Sequence, residues 1–187
     1  MLHSFNYPVI IMLVSTAIAL GVAYSVWQRR EAQGGIRFFM LMLMIAIWAL
    51  AAAGEHAAES MEWKIWWAKI SYIGIVGAAP YWLLFATQYT HSLKWFQRER
   101  NILFWIIPTL VLGMVFTNDR FGLIWPSITR SGDASGFWLI YDHGPGFWIH
   151  TIYSYSLILL GTFLLARFSL RAHQFYRKQV IILIFSF

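Results

Sequence analysis

The sequence predicts an all-α integral membrane protein, folded as a transmembrane helix bundle, and three observations lead to this fold class. Hydrophobic residues make up 59% of the 187 residues and charged residues only 12%, against roughly 25% charged residues in soluble domains. Aromatic residues reach 19%, with eleven Trp, and Trp and Tyr concentrate where apolar and aqueous environments meet. Several apolar stretches approach the ~20 residues that a helix needs to cross a bilayer. We expect a single transmembrane domain over residues 1–187.

Five stretches predict full spans, and a sixth begins near the end of the chain. The five are residues 8–27, 36–54, 70–89, 101–117 and 147–166, and the fourth is at the lower limit of length. The sixth begins at Val180 and is cut off at Phe187. Such a stretch rises only about 12 Å at about 1.5 Å per residue, less than half of a hydrocarbon core of about 30 Å. We therefore expect the chain to be part of a longer protein.

The distribution of charge predicts the orientation of the bundle. The loops on one side carry ten basic and two acidic residues, a net charge of +8, whereas the other loops carry four basic and six acidic residues, a net charge of −2. Cytoplasmic loops carry the excess of Lys and Arg, so the N-terminus is predicted to lie outside. The net charge of +6 thus reflects topology, and we expect no nucleic-acid partner. The absence of Cys excludes disulfides and thiolate chemistry.

Small residues recur at helical spacing in the second and third spans. Ala49, Ala53 and Ala57 are four residues apart, and Ser71, Gly74 and Ala78 follow nearly the same interval. Small residues at this spacing let helix backbones approach closely in lipid. The pattern predicts a packing seam.

An acidic group follows the second span. Glu55, Glu59 and Glu62, with His56 beside them, are predicted on one face of a helical extension of that span. Like charges four residues apart repel each other. One interpretation is a solvated rim held at the interface by Trp63, Trp66 and Trp67; the other is an acidic lip that attracts a cation, an amine or a metal ion.

The segment 118–146 is long for a connection between helices and predicts a small outer β-hairpin. The pieces LIWPSITR and FWLIYDHG flank SGDASG, a composition typical of turns. Its Trp125, Trp138 and Tyr141, with Trp148, offer flat apolar surfaces with polar tips, which suit a small-molecule pocket. The alternative is an amphipathic loop that lies on the lipid headgroups.

The fifth span opens with a break and a polar stripe. Gly144, Pro145 and Gly146 predict a turn that leads into the first helical turn. Beyond it, His150, Tyr153 and Ser154 stand at i, i+3 and i+4, so one polar stripe is predicted to face inward.

The histidines suggest a weaker alternative. His56, His143 and His150 lie near the predicted outer surface, and imidazole nitrogens can hold a divalent metal or, as a pair such as His56 and His150, a haem. No pair has zinc-motif spacing, and the sequence contains no GxGxxG, P-loop, HExxH or GxSxG motif. We expect no cofactor and no catalytic residue. A metal- or haem-binding redox protein and a transport or structural bundle remain the alternative functions.

Several segments, in order, resemble one family, the N-terminal seven-transmembrane sensor region of bacterial histidine kinases. They are WALAAAGEHAAES (48–60), WWAKISYIGIVGAAPYWLLFATQYT (66–90), IIPTLVLGMVFTND (106–119), LIW (123–125), YDHGPGFWIHTIYSYSLILLG (141–161) and YRKQ (176–179). Eight positions lie in the matching stretches: Glu55, Asn118, Trp125, Tyr141, Gly144, Gly146, Trp148 and Tyr153.

The resemblance implies a seven-helix receptor of a two-component system in the bacterial inner membrane, with its N-terminus outside. It implies a homodimer and a cytoplasmic output module after the last helix, such as a PAS domain, a dimerising kinase module or a cyclic-nucleotide synthase. Enzyme activity is therefore expected in that module and not in this chain. Besides the lipid bilayer, we expect an unidentified small-molecule ligand, with these candidate contacts: Glu55, His56, Glu59, Asn118, Trp125, Tyr141, His143, Trp148, His150 and Tyr153.

Overall fold

The computed structural model describes residues 7–92, 100–133 and 136–171, which form helices and one β-hairpin. The helices are α1 (Tyr7–Trp27), α2 (Gly35–Ala57), α3 (Met61–Tyr89), α4 (Ile106–Phe116), α5 (Asn118–Phe121) and α6 (Pro145–Arg171). A 3-10 segment, Arg100–Trp105, precedes α4, and the strands are β1 (Ile128–Asp133) and β2 (Gly136–Tyr141). The predicted sixth span from Val180 and the basic residues of 93–99 and 172–179 lie outside the described residues.

Among the described residues, four helices are long and apolar enough to cross a membrane: α1, α2, α3 and Pro145–Leu170 of α6. They contain the predicted spans 36–54, 70–89 and 147–166 and match 8–27, and α3 begins well before residue 70. The described part of the chain is therefore a mostly helical membrane bundle. The predicted span 101–117 is a 3-10 segment followed by the short α4, and its apolar helical stretch Ile102–Phe116 falls below the length of the other four. Pro108 lies in the first turn of α4, where its missing N–H leaves no helical bond unmade.

The helical extension predicted for the second span is wrong. The helix α2 ends at Ala57, and Ser60 caps α3 by accepting a hydrogen bond from the backbone N–H of Trp63 at 3.3 Å. Glu59 lies in the connection and Glu62 in the first turn of α3, so these glutamates do not share one helical face with Glu55. A serine cap followed by an acidic residue is favourable at a helix N-terminus, which explains the break.

Gly74, one of the small residues predicted to form a packing seam, lies where α3 meets α2. A Cβ atom added at Gly74 would overlap the carbonyl oxygen of Met44 and lie 2.7 Å from the backbone nitrogen of Trp48. Ala49 and Ala53 of α2, which were also predicted in the seam, are buried. The backbones of α2 and α3 are therefore in direct contact at Gly74.

The helix α3 is also bonded to its other neighbours. Trp82 Nε1 donates a hydrogen bond to the carbonyl oxygen of Ile158 in α6 at 3.2 Å. At the C-terminal end of α3, Gln33 Nε2 donates to the carbonyl oxygens of Gln88 and Tyr89 at 2.7 and 2.8 Å. The loop between α1 and α2 thus caps carbonyls that a helix end leaves unpaired.

The predicted hairpin is confirmed, with its strands shifted along the sequence. The strands β1 and β2 are antiparallel, and Ile128 pairs with Tyr141 at the base. Ser131 and Gly132, predicted in the turn, belong to β1. After β2, the helix α6 begins at Pro145, as the Gly-Pro-Gly sequence predicts.

We expect Gly74→Ala to lower the free energy of unfolding by about 1–3 kcal/mol, because the added methyl group overlaps the backbone of α2. Gly21→Ala is the matched control: a Cβ atom there meets nothing within 4 Å, and replacing a helical Gly by Ala gains about 0.5–1 kcal/mol. Unfolding of both variants in one detergent measures the difference. Equal stability of the two variants would contradict direct backbone contact at Gly74.

Candidate functional site

Glu55, at the C-terminal end of α2, is held by groups from two other elements. The hydroxyl of Tyr141 in β2 donates a hydrogen bond to Glu55 Oε1 at 2.7 Å. Lys64 Nζ in α3 donates to the backbone carbonyl oxygen of Glu55 at 2.9 Å. Lys64 is only 5% exposed, so its ammonium group needs such an acceptor. Glu55 is therefore the point where α2, α3 and the hairpin meet.

Tyr141 is chemically suited to this contact. Burial first, and then the hydrogen bond to Glu55 and the charge of that carboxylate, raise the pKa of Tyr141 above its ordinary value. The phenol therefore keeps its proton and acts as a donor throughout the physiological range. A donor to a carboxylate makes a stronger hydrogen bond than a neutral pair does.

A set of aromatic rings continues from Tyr141 to α6, and we call Tyr141, Trp125, Tyr72 and His150 the aromatic path. The ring centroids of Tyr141 and Trp125 are 5.0 Å apart, and Trp125 meets Tyr72 edge-on at 5.3 Å. The rings of Tyr72 and His150 are 6.2 Å apart. Trp125, Tyr72 and His150 are all buried. The aromatic path therefore joins the hairpin, α3 and α6 through the protein interior.

His150 ends the aromatic path on α6. The hydroxyl of Ser154 lies 3.3 Å from each of its ring nitrogens. His150 is buried, and Tyr153 and Ser154 are half-buried, so the stripe predicted from their spacing faces the protein.

Asn118 fastens the segment that carries Trp125. Its Oδ1 accepts hydrogen bonds from the backbone N–H groups of Ile124 and Trp125, both at 2.9 Å. Its Nδ2 donates to the carbonyl oxygen of Trp125 at 3.0 Å. The buried amide of Asn118 thus satisfies three backbone groups and sets the position of the Trp125 ring.

A second contact ties the same segment to α3. Lys69 Nζ lies 2.5 Å from Asp119 Oδ2, and the two side chains are 5% and 71% exposed. The ammonium also lies 5.3 Å from the ring centroid of Trp66. Because a buried cation needs a counter-charge or acceptors, this ion pair holds the loop against the helix.

The backbone of the same segment also meets the start of α6. The N–H of Gly144 donates to the carbonyl oxygen of Ile124, and the N–H of Gly146 donates to that of Leu123, both at 2.9 Å. The Gly-Pro-Gly break therefore joins α6 directly to the segment held by Asn118.

The structure leaves four of the predicted site residues at the surface. His56 and Glu59 are exposed at and after the end of α2. His143 and Trp148 are exposed around Phe147, with ring centroids of His143 and Phe147 3.8 Å apart and of Phe147 and Trp148 5.4 Å apart. These residues surround the buried path but do not belong to it.

Tyr153 has a different partner. Its hydroxyl donates to the carbonyl oxygen of Phe104 at 2.6 Å, so it joins α6 to the 3-10 segment. Of the ten candidate residues, the structure brings Glu55, Tyr141, Trp125 and His150 into one connected group, with Asn118 as its support.

Three further residues in and around the site were not predicted from the sequence: Lys64, Lys69 and Tyr72. Both lysines precede residue 70, where the third span was predicted to begin, whereas α3 begins at Met61. Their signal is that they stand in an apolar helix and have no acidic residue three or four positions away in sequence. Polar residues in such helices usually face the interior and have a partner there.

The described residues contain no group of three or more His, Cys, Asp or Glu residues arranged to hold a metal ion. His56, His143 and His150 are therefore not brought together as a metal site.

The chain matches a known protein family. A family described as the N-terminal 7TM region of histidine kinase matches residues 11–187. No curated protein and no solved structure is significantly similar to the chain.

We expect Tyr141→Phe to lower the free energy of unfolding by about 1.5–3 kcal/mol, which is the contribution of a hydrogen bond to a charged group. The difference from the wild type should be complete at neutral pH and decrease above pH ~10, because the unfolded tyrosine ionises near pH 10 whereas folded Tyr141 keeps its proton. Unfolding at a series of pH values measures it. Tyr155→Phe, at an exposed position of α6, is the control; an equal loss in both variants would exclude a specific role for the Glu55 contact.

We expect Asn118→Ala to lower the free energy of unfolding by at least about 2 kcal/mol, because it leaves three backbone groups without their partner. Each buried unpaired group costs about 1–3 kcal/mol. Thr117→Ala removes only an exposed hydroxyl that bonds within its own helix and should change stability by less than about 0.5 kcal/mol. Hydrogen exchange at the amides of Ile124 and Trp125 is the specific measurement. If exchange at these two amides is unchanged in Asn118→Ala, the side chain of Asn118 does not hold this segment in place.

Proposed function

The chain belongs to the family of N-terminal seven-transmembrane regions of histidine kinases, and from this premise we propose that it is a sensory domain that relays a stimulus across the bacterial inner membrane. The stimulus acts at the end of the bundle that carries Glu55 and the hairpin. That end is outside, as is the N-terminus, because the loops at the opposite end carry most of the Lys and Arg residues.

One observation carries this proposal: the continuous set of contacts from Glu55 along the aromatic path to His150. It begins at the connection between α2 and α3, where a soluble ligand has access, and ends on the buried face of α6. A change at Glu55 is therefore transmitted to two spanning helices through packed groups and not through a flexible linker.

The ligand is an unidentified small molecule that competes with Tyr141 for the carboxylate of Glu55. Exposed His56, Glu59, His143 and Trp148 form the rim of its site. Asn118 and Tyr153 act as positioning residues, since the amide of Asn118 orients the Trp125 segment and the hydroxyl of Tyr153 orients the 3-10 segment.

The energies involved are adequate for a sensor. A ligand shifts a conformational equilibrium only by the difference between its affinities for the two states. Breaking one charge-assisted hydrogen bond costs about 1.5–3 kcal/mol, and allosteric coupling free energies are typically about 1–3 kcal/mol. Exchange of the Tyr141 contact for a ligand contact is thus large enough to change output.

The output module is a cytoplasmic kinase or related enzyme that follows the last helix in the full-length protein, which acts as a homodimer. This chain supplies the sensory part, and the catalytic residues belong to the output module.

We expect Trp125→Leu to change the basal autophosphorylation of the full-length protein in lipid nanodiscs by about 5-fold or more, the effect of a coupling free energy near 1 kcal/mol. The substitution breaks the aromatic path but leaves an apolar side chain in place. Trp48→Leu, at a half-exposed position of α2 outside the path, should leave autophosphorylation unchanged.

Two results would count against the proposal. Equal autophosphorylation in Trp125→Leu and the wild type would remove the relay through the aromatic path. A full-length wild-type protein without autophosphorylation would remove the kinase as the output.

A further inference from the structure

The two faces of the hairpin differ in what covers them. Directly paired residues of an antiparallel sheet lie on the same face, so Ile128 and Tyr141 share one face and the pairs Thr129–Ile140 and Ser131–Trp138 share the other. Ile128 and Tyr141 pack against the buried cluster around Trp125. We call the face with Thr129, Ser131, Trp138 and Ile140 the outward face.

The outward face is apolar and unpartnered in the described structure. Trp138 is 61% exposed and Ile140 is 49% exposed. Their cross-strand neighbours contribute only hydroxyl groups, so the four side chains are uncharged. Contact of such large apolar side chains with water is unfavourable, so this face suits an environment less polar than bulk water.

The position of the hairpin indicates which environment that is. Only three residues separate β2 from α6, a candidate membrane span whose first turns expose Trp148 and Ile149. The start of α3, another candidate span at the same end, exposes Trp63 and Trp66. Exposed Trp at the ends of spans marks the boundary between headgroups and acyl chains, and Trp138 extends this set onto the hairpin.

We propose that the outward face of the hairpin lies on the bilayer, with Trp138 and Ile140 inserted at the boundary between headgroups and acyl chains. The four side chains that define the outward face, one Trp, one Ile and two small hydroxyl residues, suit that depth, where apolar and polar groups meet. The partner is the lipid surface itself. This contact depends on the membrane position of α3 and α6 and is independent of the sensory role proposed above.

Because the chain contains no Cys, single spin labels test the contact without a background. Ile140→Cys and Thr129→Cys place a label on the outward face, and Thr129→Cys leaves both Trp138 and Ile140 native. Glu59→Cys, at an exposed site between α2 and α3, is the aqueous reference, and Leu159→Cys, on the exposed surface of α6, is the lipid reference. Each protein is placed in nanodiscs of zwitterionic phospholipid, and label accessibility to oxygen and to a water-soluble nickel chelate is measured.

The labels at 140 and 129 should both be more accessible to oxygen and less accessible to the nickel chelate than the label at 59. Both accessibilities should approach those of the label at 159. Nickel accessibility equal to that at 59 would place the face in water and overturn the proposal. Low accessibility to both reagents would show that protein, such as a second copy of the chain, covers the face, and this would also overturn it. Agreement between 140 and 129 excludes an artefact from the loss of Ile140.

Discussion

The close approach of α2 and α3 at Gly74 is the contact on which the rest of the described structure depends. At this point a side chain of any size would meet the backbone of α2. Without a hydrophobic force between helices in lipid, such backbone contact is a main source of helix association. It also sets how the two helix ends meet at the connection 58–60, where Lys64 reaches the carbonyl oxygen of Glu55. The position of the candidate site is therefore a consequence of helix packing some distance away.

The two buried lysines of α3 each bind a different neighbouring element, and Lys69 holds the segment after α4 over this helix. A buried cation is costly without an acceptor or a counter-charge, and removing its partner is strongly destabilising. Lys64 finds an acceptor at the end of α2, and Lys69 finds a carboxylate on Asp119. Asn118 stands beside that carboxylate in sequence and turns the following backbone towards Trp125. The charge of Lys69 and the amide of Asn118 thus act together to place Trp125 against Tyr72.

The sequence predicted the elements better than it predicted the site. Apolar length located the four long helices, and turn composition located the hairpin, because these signals are local. The extension of α2 was wrong because the cap at Ser60 outweighed the helical spacing of the glutamates. The contact between Glu55 and Tyr141 joins residues 86 positions apart, and no local pattern predicts which hydroxyl meets which carboxylate. Tyr72 was missed for the same reason, since its partners Trp125 and His150 belong to other elements.

The proposed contact with the bilayer and the candidate ligand site share one strand, β2. Successive side chains of a strand point to opposite faces, so Ile140 faces the lipid surface that we propose while its neighbour Tyr141 faces Glu55. A shift of one strand against the other by one residue would turn its buried side chains to the outward face. The register is therefore fixed, and the two strands move as one unit. A displacement of the outward face in the bilayer therefore changes the distance between the Tyr141 hydroxyl and the Glu55 carboxylate. In our proposal a ligand competes for the same hydrogen bond. A change in the membrane and a bound ligand would then act on one equilibrium, and their free energies would add or oppose each other there.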